Sequence, residues 1–408
     1  MNPLLFKAGG GLIAAVTLGT GVYVAAVWWR THDRPLTEDS PGREWPLLFV
    51  LAIVLLSRLW VLGAGSVGAL SIIRADGPGL GFADIWNRWD APHYLDIARD
   101  GYQTIGDPRF FIVFYPLYPW LVRAVSWVTG DVFWAGVILS NTCLAAAAVI
   151  LYRLFCRDMD GDSAGWAIVF LCVSPMSFFL GIPYTESLYL LLTVSFFYAA
   201  RGGYWLWAGA AGFLAALSRN FGVLLLAPMA VFGIERWRRR ERNGWWRFAA
   251  CLVLIPAGLF AYLAVNKVIT GDWWTFLDYQ REHWSNTFGF FGFNLMHHIN
   301  GVLHGSWNDA ITVFMPNVAA FACSLLLLAY GAGRMPGAYI AYGFAYLVVA
   351  YSPTWLLSGG RYMMVMFPLW GILAKAIRGN RRRYAFLAVL LVMSLYYAVM
   401  FAMGRSVL

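Results

Sequence analysis

Residues 46–66 read Pro-Leu-Leu-Phe-Val-Leu-Ala-Ile-Val-Leu-Leu-Ser-Arg-Leu-Trp-Val-Leu-Gly-Ala-Gly-Ser, with Arg58 as the single charged side chain. A helix needs about 20 apolar residues to cross a hydrocarbon core about 30 Å thick. This stretch therefore predicts a transmembrane helix. Comparable apolar runs recur at 8–29, 131–155, 163–182, 184–200, 203–217, 219–235, 245–266, 310–331, 338–356, 361–377 and 384–403. Together they predict an all-α, polytopic bundle of transmembrane helices.

The composition supports this fold class. Hydrophobic residues make up 60% of the 408 residues, charged residues 12% and aromatic residues 17%. A soluble domain carries roughly a quarter charged residues, so this chain has too few charges to cover a water-facing surface. Its many Trp and Tyr side chains suit the two membrane interfaces. The five cysteines show no CxxC or other ligand spacing and are interpreted as small buried side chains.

The net charge of +9 is concentrated in two basic segments, Arg236–Arg247 and Arg378–Arg383. Such segments mark cytoplasmic loops under the positive-inside rule, so no nucleic-acid partner is needed to explain them. Placing both in the cytoplasm puts two large loops, at about 67–110 and 267–309, on the outer face. It also requires residues 112–129, which contain two prolines, to lie in the membrane interface rather than cross it. If these residues do span the membrane, the sidedness of everything before Arg236 is inverted.

The N-terminal run 8–29 carries no charge, and no small-residue cleavage site follows it. We therefore expect a retained transmembrane helix rather than a signal peptide. The predicted organisation is an extra N-terminal helix with a cytoplasmic linker over residues 1–45, followed by one membrane domain over residues 46–408.

The densest group of chemically useful residues is Trp86-Asn87-Arg88-Trp89-Asp90-Ala91-Pro92-His93-Tyr94-Leu95-Asp96-Ile97-Ala98-Arg99-Asp100-Gly101-Tyr102. Pro92 fits the first turn of a helix, and Gly101 fits the position just beyond its end. Asp90 then lies at or just before the helix N-terminus, where exposed amides and the helix dipole favour its ionised form. It is a candidate general base for a hydroxyl nucleophile. The alternative is a plain N-cap, worth about 1 kcal/mol of helix stability.

Other candidate side chains are scattered along the chain. His93 lies one helical turn from Asp90 and is a candidate hydrogen-bonding partner for it or for a substrate, with metal binding or simple packing as alternatives. Arg58 lies within apolar sequence and is expected to form an ion pair or to reach toward a lipid phosphate. Helix joins carry further candidates, whose arginines could bind phosphate or simply anchor helix ends: Glu186, Arg219 and the pair Arg361-Tyr362.

Several short blocks together resemble a known family. Trp89-Asp90-Ala91-Pro92-His93-Tyr94, followed by Ile97-Ala98 and Gly101-Tyr102, is similar to the signature loop of the GPI-anchor second mannosyltransferase family (PIG-V-like) and its bacterial relatives. Later blocks follow in the same order: Phe114-Tyr115-Pro116-Leu117-Tyr118-Pro119, Ser174-Pro175, Tyr184-Thr185-Glu186-Ser187, Ser218-Arg219-Asn220, Arg361-Tyr362 and Phe367-Pro368-Leu369. The resemblance spans about residues 46–370, and residues 267–309 match no family pattern.

The resemblance implies a membrane domain of the GT-C glycosyltransferase superfamily that takes a sugar, here mannose, from a polyprenyl-phosphate donor. It implies that Asp90 is the base for a hydroxyl of a membrane glycolipid acceptor, with inversion at the anomeric carbon. Substrate-binding roles are expected for Trp89, His93, Tyr94, Glu186, Arg219, Arg361, Tyr362 and Arg58. No cofactor is expected, and a divalent metal is not indicated.

The preference for Arg over Lys suits a high-GC bacterial genome. We therefore expect the protein in a plasma membrane with its active site on the extracytoplasmic face, or on the lumenal face of the endoplasmic reticulum in a eukaryote.

Two other classes of function stay open. A lipid-sugar flippase or secondary transporter would place ionisable groups near the midplane, and a non-catalytic assembly partner would serve another glycosyltransferase. No GxxxxGK[ST], GxSxG or HExxH motif supports an ATP-driven pump or a zinc protease.

Overall fold

The computed structural model describes residues 3–31, 44–73, 81–241, 243–405 and 407. The described residues contain no strand, only an isolated bridge between Phe288 and Pro353, so the predicted all-α fold is confirmed. The α-helices are α1 Pro3–Thr31, α2 Leu47–Arg58, α3 Gly65–Ile73, α4 Phe82–Trp86, α5 Asp90–Asp100, α6 Leu117–Thr129, α7 Val132–Phe155, α8 Gly161–Cys172, α9 Glu186–Arg201, α10 Trp205–Ser218, α11 Leu226–Arg238, α12 Trp245–Thr270, α13 Thr275–Trp284, α14 Phe291–His304, α15 Trp307–Asp309, α16 Met315–Gly331, α17 Gly337–Ala350, α18 Gly359–Met364, α19 Pro368–Ala376 and α20 Asn380–Ala402.

Six helices of the described residues are long and apolar enough to cross a membrane. They are Pro3–Thr31, Leu47–Ile72, Val132–Phe155, Trp245–Thr270, Trp307–Gly331 and Asn380–Ala402. In two of them a short π-helical segment joins α-helices into one span, at Leu59–Ala64 and Ala310–Phe314. The chain is therefore a multi-pass membrane protein.

Two apolar runs that were predicted as continuous spans are broken. The run 163–182 contains α8, which ends at Cys172, followed by a separate 3-10 helix at Ser177–Leu180. The run 361–377 is divided between α18 and α19, and Pro368 begins the second helix. Proline explains the second break, because it cannot donate the backbone hydrogen bond that would continue a helix. Hydropathy measures only the apolar character of a run, so it does not detect such breaks in the helix.

Close helix packing forms the centre of the bundle, where α9 and α12 both lie against α10. The backbones approach closely at Gly258, since a Cβ there would lie 2.1 Å from the carbonyl oxygen of Phe213. Small residues at such crossings let membrane helices come together when lipid supplies no hydrophobic driving force.

The helix directions separate two ends of the bundle. α9 runs from Glu186 to Arg201, α10 returns to Ser218, and α11 runs out again to Arg238. The 13 residues of α11, rising 1.5 Å each, span about 20 Å. We call the end with Glu186 and Arg219 the site face. The basic face is the opposite end, which carries the described part of Arg236–Arg247 and Arg378–Arg383.

The connection between α5 and α7 stays on the site face. The 3-10 helix Asp107–Val113 and α6 are bent by 111° relative to each other. α6 is joined to α7 by the turn Gly130–Asp131, and the Tyr118 hydroxyl at its start donates to the carbonyl of Gly136 at 3.2 Å. α6 therefore lies beside the first part of α7. The bent pair is compatible with a broken span as well as with the interfacial position predicted for residues 112–129.

The N-terminal run forms a helix, and the two loops predicted for the outer face also contain helices. α1 packs against α14, α16 and α17. The loop predicted at 67–110 begins later than expected, because α3 continues to Ile73, and it contains α4 and α5. The loop predicted at 267–309 contains α13, α14 and α15. Residues 32–43 of the expected linker, and Arg74 and Asp76 of the first loop, lie outside the described residues.

Candidate active site

The site begins at a tight turn that leads into α5. The backbone amide of Ala91 donates to the carbonyl of Arg88 at 3.2 Å, and the residue between them, Trp89, has φ 59° and ψ −113°. These angles are those of the first central position of a type II′ turn, which ordinarily requires glycine. A non-glycine residue in such a conformation costs about 1–3 kcal/mol and persists only where the surroundings hold it, often at functional sites.

The carboxylate of Asp90 faces an arginine rather than the helix amides. Asp90 is the first residue of α5, and the side chain of the N-cap residue, Trp89, makes no capping hydrogen bond. The Oδ2 atom of Asp90 accepts a hydrogen bond from Nη1 of Arg361 at 2.7 Å. The Asp90 side chain is 32% exposed and that of Arg361 only 4%. The plain N-cap alternative is therefore not what the structure shows, and Asp90 is the accessible end of this pair.

Arg361 also connects Asp90 to a second, buried ion pair. Its Nε donates to Oε1 of Glu186 at 2.5 Å, and Nη1 of Arg219 donates to the same oxygen at 2.6 Å. We call Asp90, Arg361, Glu186 and Arg219 the four-charge cluster. Two carboxylates and two guanidinium groups make it formally neutral, which suits burial because charges in a low-dielectric interior need partners. The Oε2 atom of Glu186 is buried and makes no hydrogen bond with the described residues.

Each member of the cluster lies where a helix begins, ends or is interrupted. Glu186 is the first residue of α9, Arg219 follows the last residue of α10, and Arg361 lies in the short helix α18. Aromatic faces hold the guanidinium groups. Arg361 lies 4.6 Å from the ring centre of Tyr184, and Arg219 lies 5.3 Å from that of Tyr362. Cation–π contacts of this kind favour a fixed orientation of the guanidinium.

Two predicted site residues lie on α5 beside Asp90. The ring of His93 packs on Phe111 and Phe114, with ring centres 4.3 Å and 5.2 Å apart. Burial lowers the pKa of His93, partly offset by the carboxylates of Asp90 and Asp96. Tyr94 is buried beneath the same helix, with burial raising the pKa of its hydroxyl. His93 is thus a neutral neighbour of Asp90 at pH 7.

Arg58 does not join the four-charge cluster. Its guanidinium is buried and donates to the backbone carbonyls of Cys172 and Ser177, both at 2.5 Å. Cys172 ends α8, and the last carbonyls of a helix lack partners within the helix. Arg58 supplies such a partner to the carbonyl of Cys172, and its second carbonyl partner, Ser177, begins the following 3-10 helix. Among the described residues Arg58 therefore binds backbone carbonyls and does not form the expected ion pair.

Tyr184 is the functional candidate that was missed from sequence. Its hydroxyl accepts the backbone N–H of Asp90 at 3.2 Å and donates to the carbonyl of Arg88 at 2.9 Å. The only sequence feature that pointed to Tyr184 was its place two residues before Glu186, in a block quoted for the resemblance.

No group of three or more His, Cys, Asp or Glu side chains among the described residues is arranged to hold a metal ion.

Similarity to characterised sequences is limited to about a quarter of the chain. No family model matches it. The chain is 25% identical over 108 residues to GPI mannosyltransferase 2 of Schizosaccharomyces pombe, a match covering 26% of this chain and 22% of that protein. It is 31% identical over 118 residues to GPI mannosyltransferase 2 of Cryptococcus neoformans, covering 27% of this chain and 28% of that protein. The chain thus matches less than a third of the length of these relatives.

Similarity to solved structures extends over most of the chain. ArnT from Cupriavidus metallidurans bound to undecaprenyl phosphate superposes with a TM-score of 0.52 at 17% sequence identity, covering 84% of this chain and 62% of ArnT. The apo state of the same protein gives a TM-score of 0.50. This likeness shows that the chain has the GT-C fold, as the resemblance implied.

Proposed function

From its GT-C fold and its relationship to GPI mannosyltransferase 2, we propose that this protein is an inverting glycosyltransferase. It transfers mannose from a polyprenyl-phosphate donor to a hydroxyl of a membrane glycolipid. The observation that carries the proposal is the position of Asp90, a partly exposed carboxylate at the end of a buried four-charge cluster. Burying charged groups in a protein is costly, so a buried ion-pair network that ends in a partly exposed carboxylate is a functional candidate.

In this proposal Asp90 is the general base. Arg361 binds its Oδ2 atom, and the Oδ1 atom, which makes no hydrogen bond with the described residues, takes the proton of the acceptor hydroxyl. The acceptor oxygen forms a bond to the anomeric carbon of the sugar, and the bond from that carbon to the donor phosphate breaks. The electron pair leaves with the polyprenyl phosphate. Attack opposite to the leaving group inverts the anomeric centre.

The arginines of the cluster stabilise the leaving phosphate. Negative charge grows on the phosphate as the sugar departs, and fixed positive groups at that position lower the barrier. Arg361 uses Nη1 and Nε for its two carboxylate contacts, and its Nη2 makes no hydrogen bond with the part of the chain that the structure describes. A planar guanidinium presents several donors to a phosphate at once. The scheme needs no cofactor and no metal ion, so transfer should persist in the presence of a chelator.

The proposed substrates draw on the named relatives. Two GPI mannosyltransferase 2 proteins support mannose and a glycolipid acceptor, and the ArnT structure bound to undecaprenyl phosphate supports a polyprenyl carrier. The site face would then be the extracytoplasmic side of a plasma membrane, because the basic face meets the positive-inside rule for the cytoplasm.

The test is transfer of radiolabelled mannose from polyprenyl-phosphate-mannose to lipid in membranes that contain the full chain. Asp90→Asn at matched expression should lose at least about 100-fold, as expected for removal of a general base. Asp96→Asn is the matched control, because Asp96 lies on the same helix but is 43% exposed and pairs with Arg99 rather than with the four-charge cluster. Equal labelling by the wild type and Asp90→Asn would refute Asp90 as the base. Movement of the labelled donor across the bilayer without transfer would favour the transporter alternative.

A further inference from the structure

The Tyr184 hydroxyl bridges the backbone on both sides of Trp89. It accepts the N–H of Asp90 at 3.2 Å and donates to the carbonyl of Arg88 at 2.9 Å. We infer that Tyr184 is a positioning residue, which holds the strained turn at Trp89 and thereby sets the place of the Asp90 carboxylate. The inference rests on the proposed function and extends it to a residue that does not touch the reacting atoms.

The turn needs such support for two reasons. Trp89 has φ 59°, a left-handed value that side chains with a Cβ disfavour. Asp90 is the first residue of α5, and the first amides of a helix have no carbonyl partner within the helix. The Tyr184 hydroxyl satisfies that amide. It also adds a second hydrogen bond to the carbonyl of Arg88, which already accepts the amide of Ala91.

Tyr184 is itself held firmly. Its side chain is fully buried, and its ring lies edge-on to Phe179 with ring centres 4.9 Å apart. The hydroxyl of Ser140 in α7 donates to its backbone carbonyl at 3.3 Å. The guanidinium of Arg361 rests 4.6 Å from its ring centre. A fixed tyrosine can therefore impose its geometry on the turn, whereas a mobile one could not.

The segment Tyr184–Glu186 thus fixes both the backbone and the side chain of Asp90. Tyr184 sets its backbone through the hydroxyl, and Glu186, two residues later, sets its side chain through Arg361. A base must lie within hydrogen-bond reach of the proton that it removes. Removing the hydroxyl should leave the substrate contacts in place but let the carboxylate move.

The experiment compares Tyr184→Phe with the wild type in mannosyl transfer at varied donor concentration. We expect kcat to fall by roughly 100-fold, the scale of a 1 Å misplacement, while KM for the donor stays within about threefold of the wild-type value because uniform binding is retained. Tyr339→Phe is the matched control. Tyr339 is equally buried and its hydroxyl also has two partners, Asp158 and Arg201, but it belongs to the basic face. It should keep wild-type kcat.

A second variant separates positioning from general stability. Glycine adopts the conformation of Trp89 without strain, so the Trp89→Gly change should reduce the turn's need for the hydroxyl. In the Trp89→Gly background, Tyr184→Phe should lower kcat by less than about tenfold, because coupled residues are non-additive. If Tyr184→Phe alone does not fold, Trp89→Gly should restore folding, and failure to restore it counts against the inference.

The results also separate this inference from the proposed function. If the wild type transfers no mannose, the proposed function is wrong, and the inference about Tyr184, which rests on it, is wrong as well. If the wild type is active and Asp90→Asn is inactive, but Tyr184→Phe keeps its kcat, the base stands and the inference is wrong. A drop in kcat of equal size in both backgrounds would also overturn it, because strain at Trp89 would then play no part.

Discussion

Nη1 of Arg361 lies 2.7 Å from Oδ2 of Asp90, joining two residues that are 271 positions apart in the chain. The same guanidinium binds Glu186 through Nε. One rigid fork of donors therefore fixes the accessible carboxylate relative to the buried one. This relationship makes Arg361 the link on which the geometry of the four-charge cluster depends, and several consequences can be measured.

Arg361→Lys should abolish most of the transfer activity. Lysine keeps the charge but offers a single nitrogen, which cannot reach two carboxylates in the directions that Nε and Nη1 define. We expect a loss of about 100- to 1,000-fold in kcat, the range seen when one preorganised donor is removed from an active site. Initial rates at matched expression measure this. Arg381→Lys, an exposed change on the basic face, should keep the wild-type rate, and similar rates for both variants would contradict the prediction.

Glu186→Gln should destabilise the fold strongly. Glu186 is fully buried between Arg361 and Arg219, and removing one charge from a buried group leaves the partners uncompensated, at a cost of about 3–5 kcal/mol. Thermal unfolding of the purified protein in detergent measures the effect. Glu282→Gln is the control, because Glu282 is 55% exposed in its pair with Arg109 and such pairs contribute about 0–1 kcal/mol. Equal losses in the two variants would show that the cluster is not a buried ion network.

Arg58→Gln should reduce stability while leaving the transfer rate of the folded protein close to that of the wild type. Arg58 donates to the carbonyls of Cys172 and Ser177, and each buried carbonyl that loses its partner costs about 1–3 kcal/mol. The check is specific activity per folded molecule, measured together with the melting temperature. A well-folded Arg58→Gln protein without transfer activity would restore the phosphate-binding role expected from the sequence.

His93→Gln should weaken the dependence of stability on acid pH. Burial lowers the pKa of His93 below the value of 6.5 for a free histidine. The folded state therefore binds fewer protons than the unfolded state at acid pH, so the contribution of His93 is complete above about pH 6.5 and is lost as pH falls through the folded pKa.

Melting temperatures measured at about pH 7.5, 6.5 and 5.5, which span the range in which histidine titrates, test this prediction. The wild type should lose more stability than His93→Gln on acidification. His298, whose pKa burial lowers to about 4, acts with the same sign but is unchanged in both proteins. Exposed His304→Gln serves as the control and should follow the wild type. Parallel curves for His93→Gln and the wild type would contradict the prediction.

Much of the fold could be predicted from the sequence, because the interactions that determine its helices are local. Apolar runs of about 20 residues can satisfy their backbone groups in a membrane only as helices, so α1, α7, α12 and α20 could be located from hydropathy. The start of α5 near Asp90 and its end before Gly101 also followed from local chemistry, through a proline in the first turn and a glycine at positive φ. Where prolines interrupt apolar sequence, as at Pro368, the same reasoning predicted a span that is in fact two helices.

The amino-acid sequence by itself determined an all-helical membrane bundle, the concentration of basic residues at one end, and the candidate residues Asp90, Glu186, Arg219 and Arg361. Only the tertiary structure decided that these four side chains form one cluster, that Arg58 instead serves the end of α8, and that Tyr184 holds the turn at Trp89. The physical reason is distance along the chain. Hydropathy and helix signals act over a few neighbouring residues, whereas these contacts join residues separated by 33 to 271 positions and form only when the helices pack.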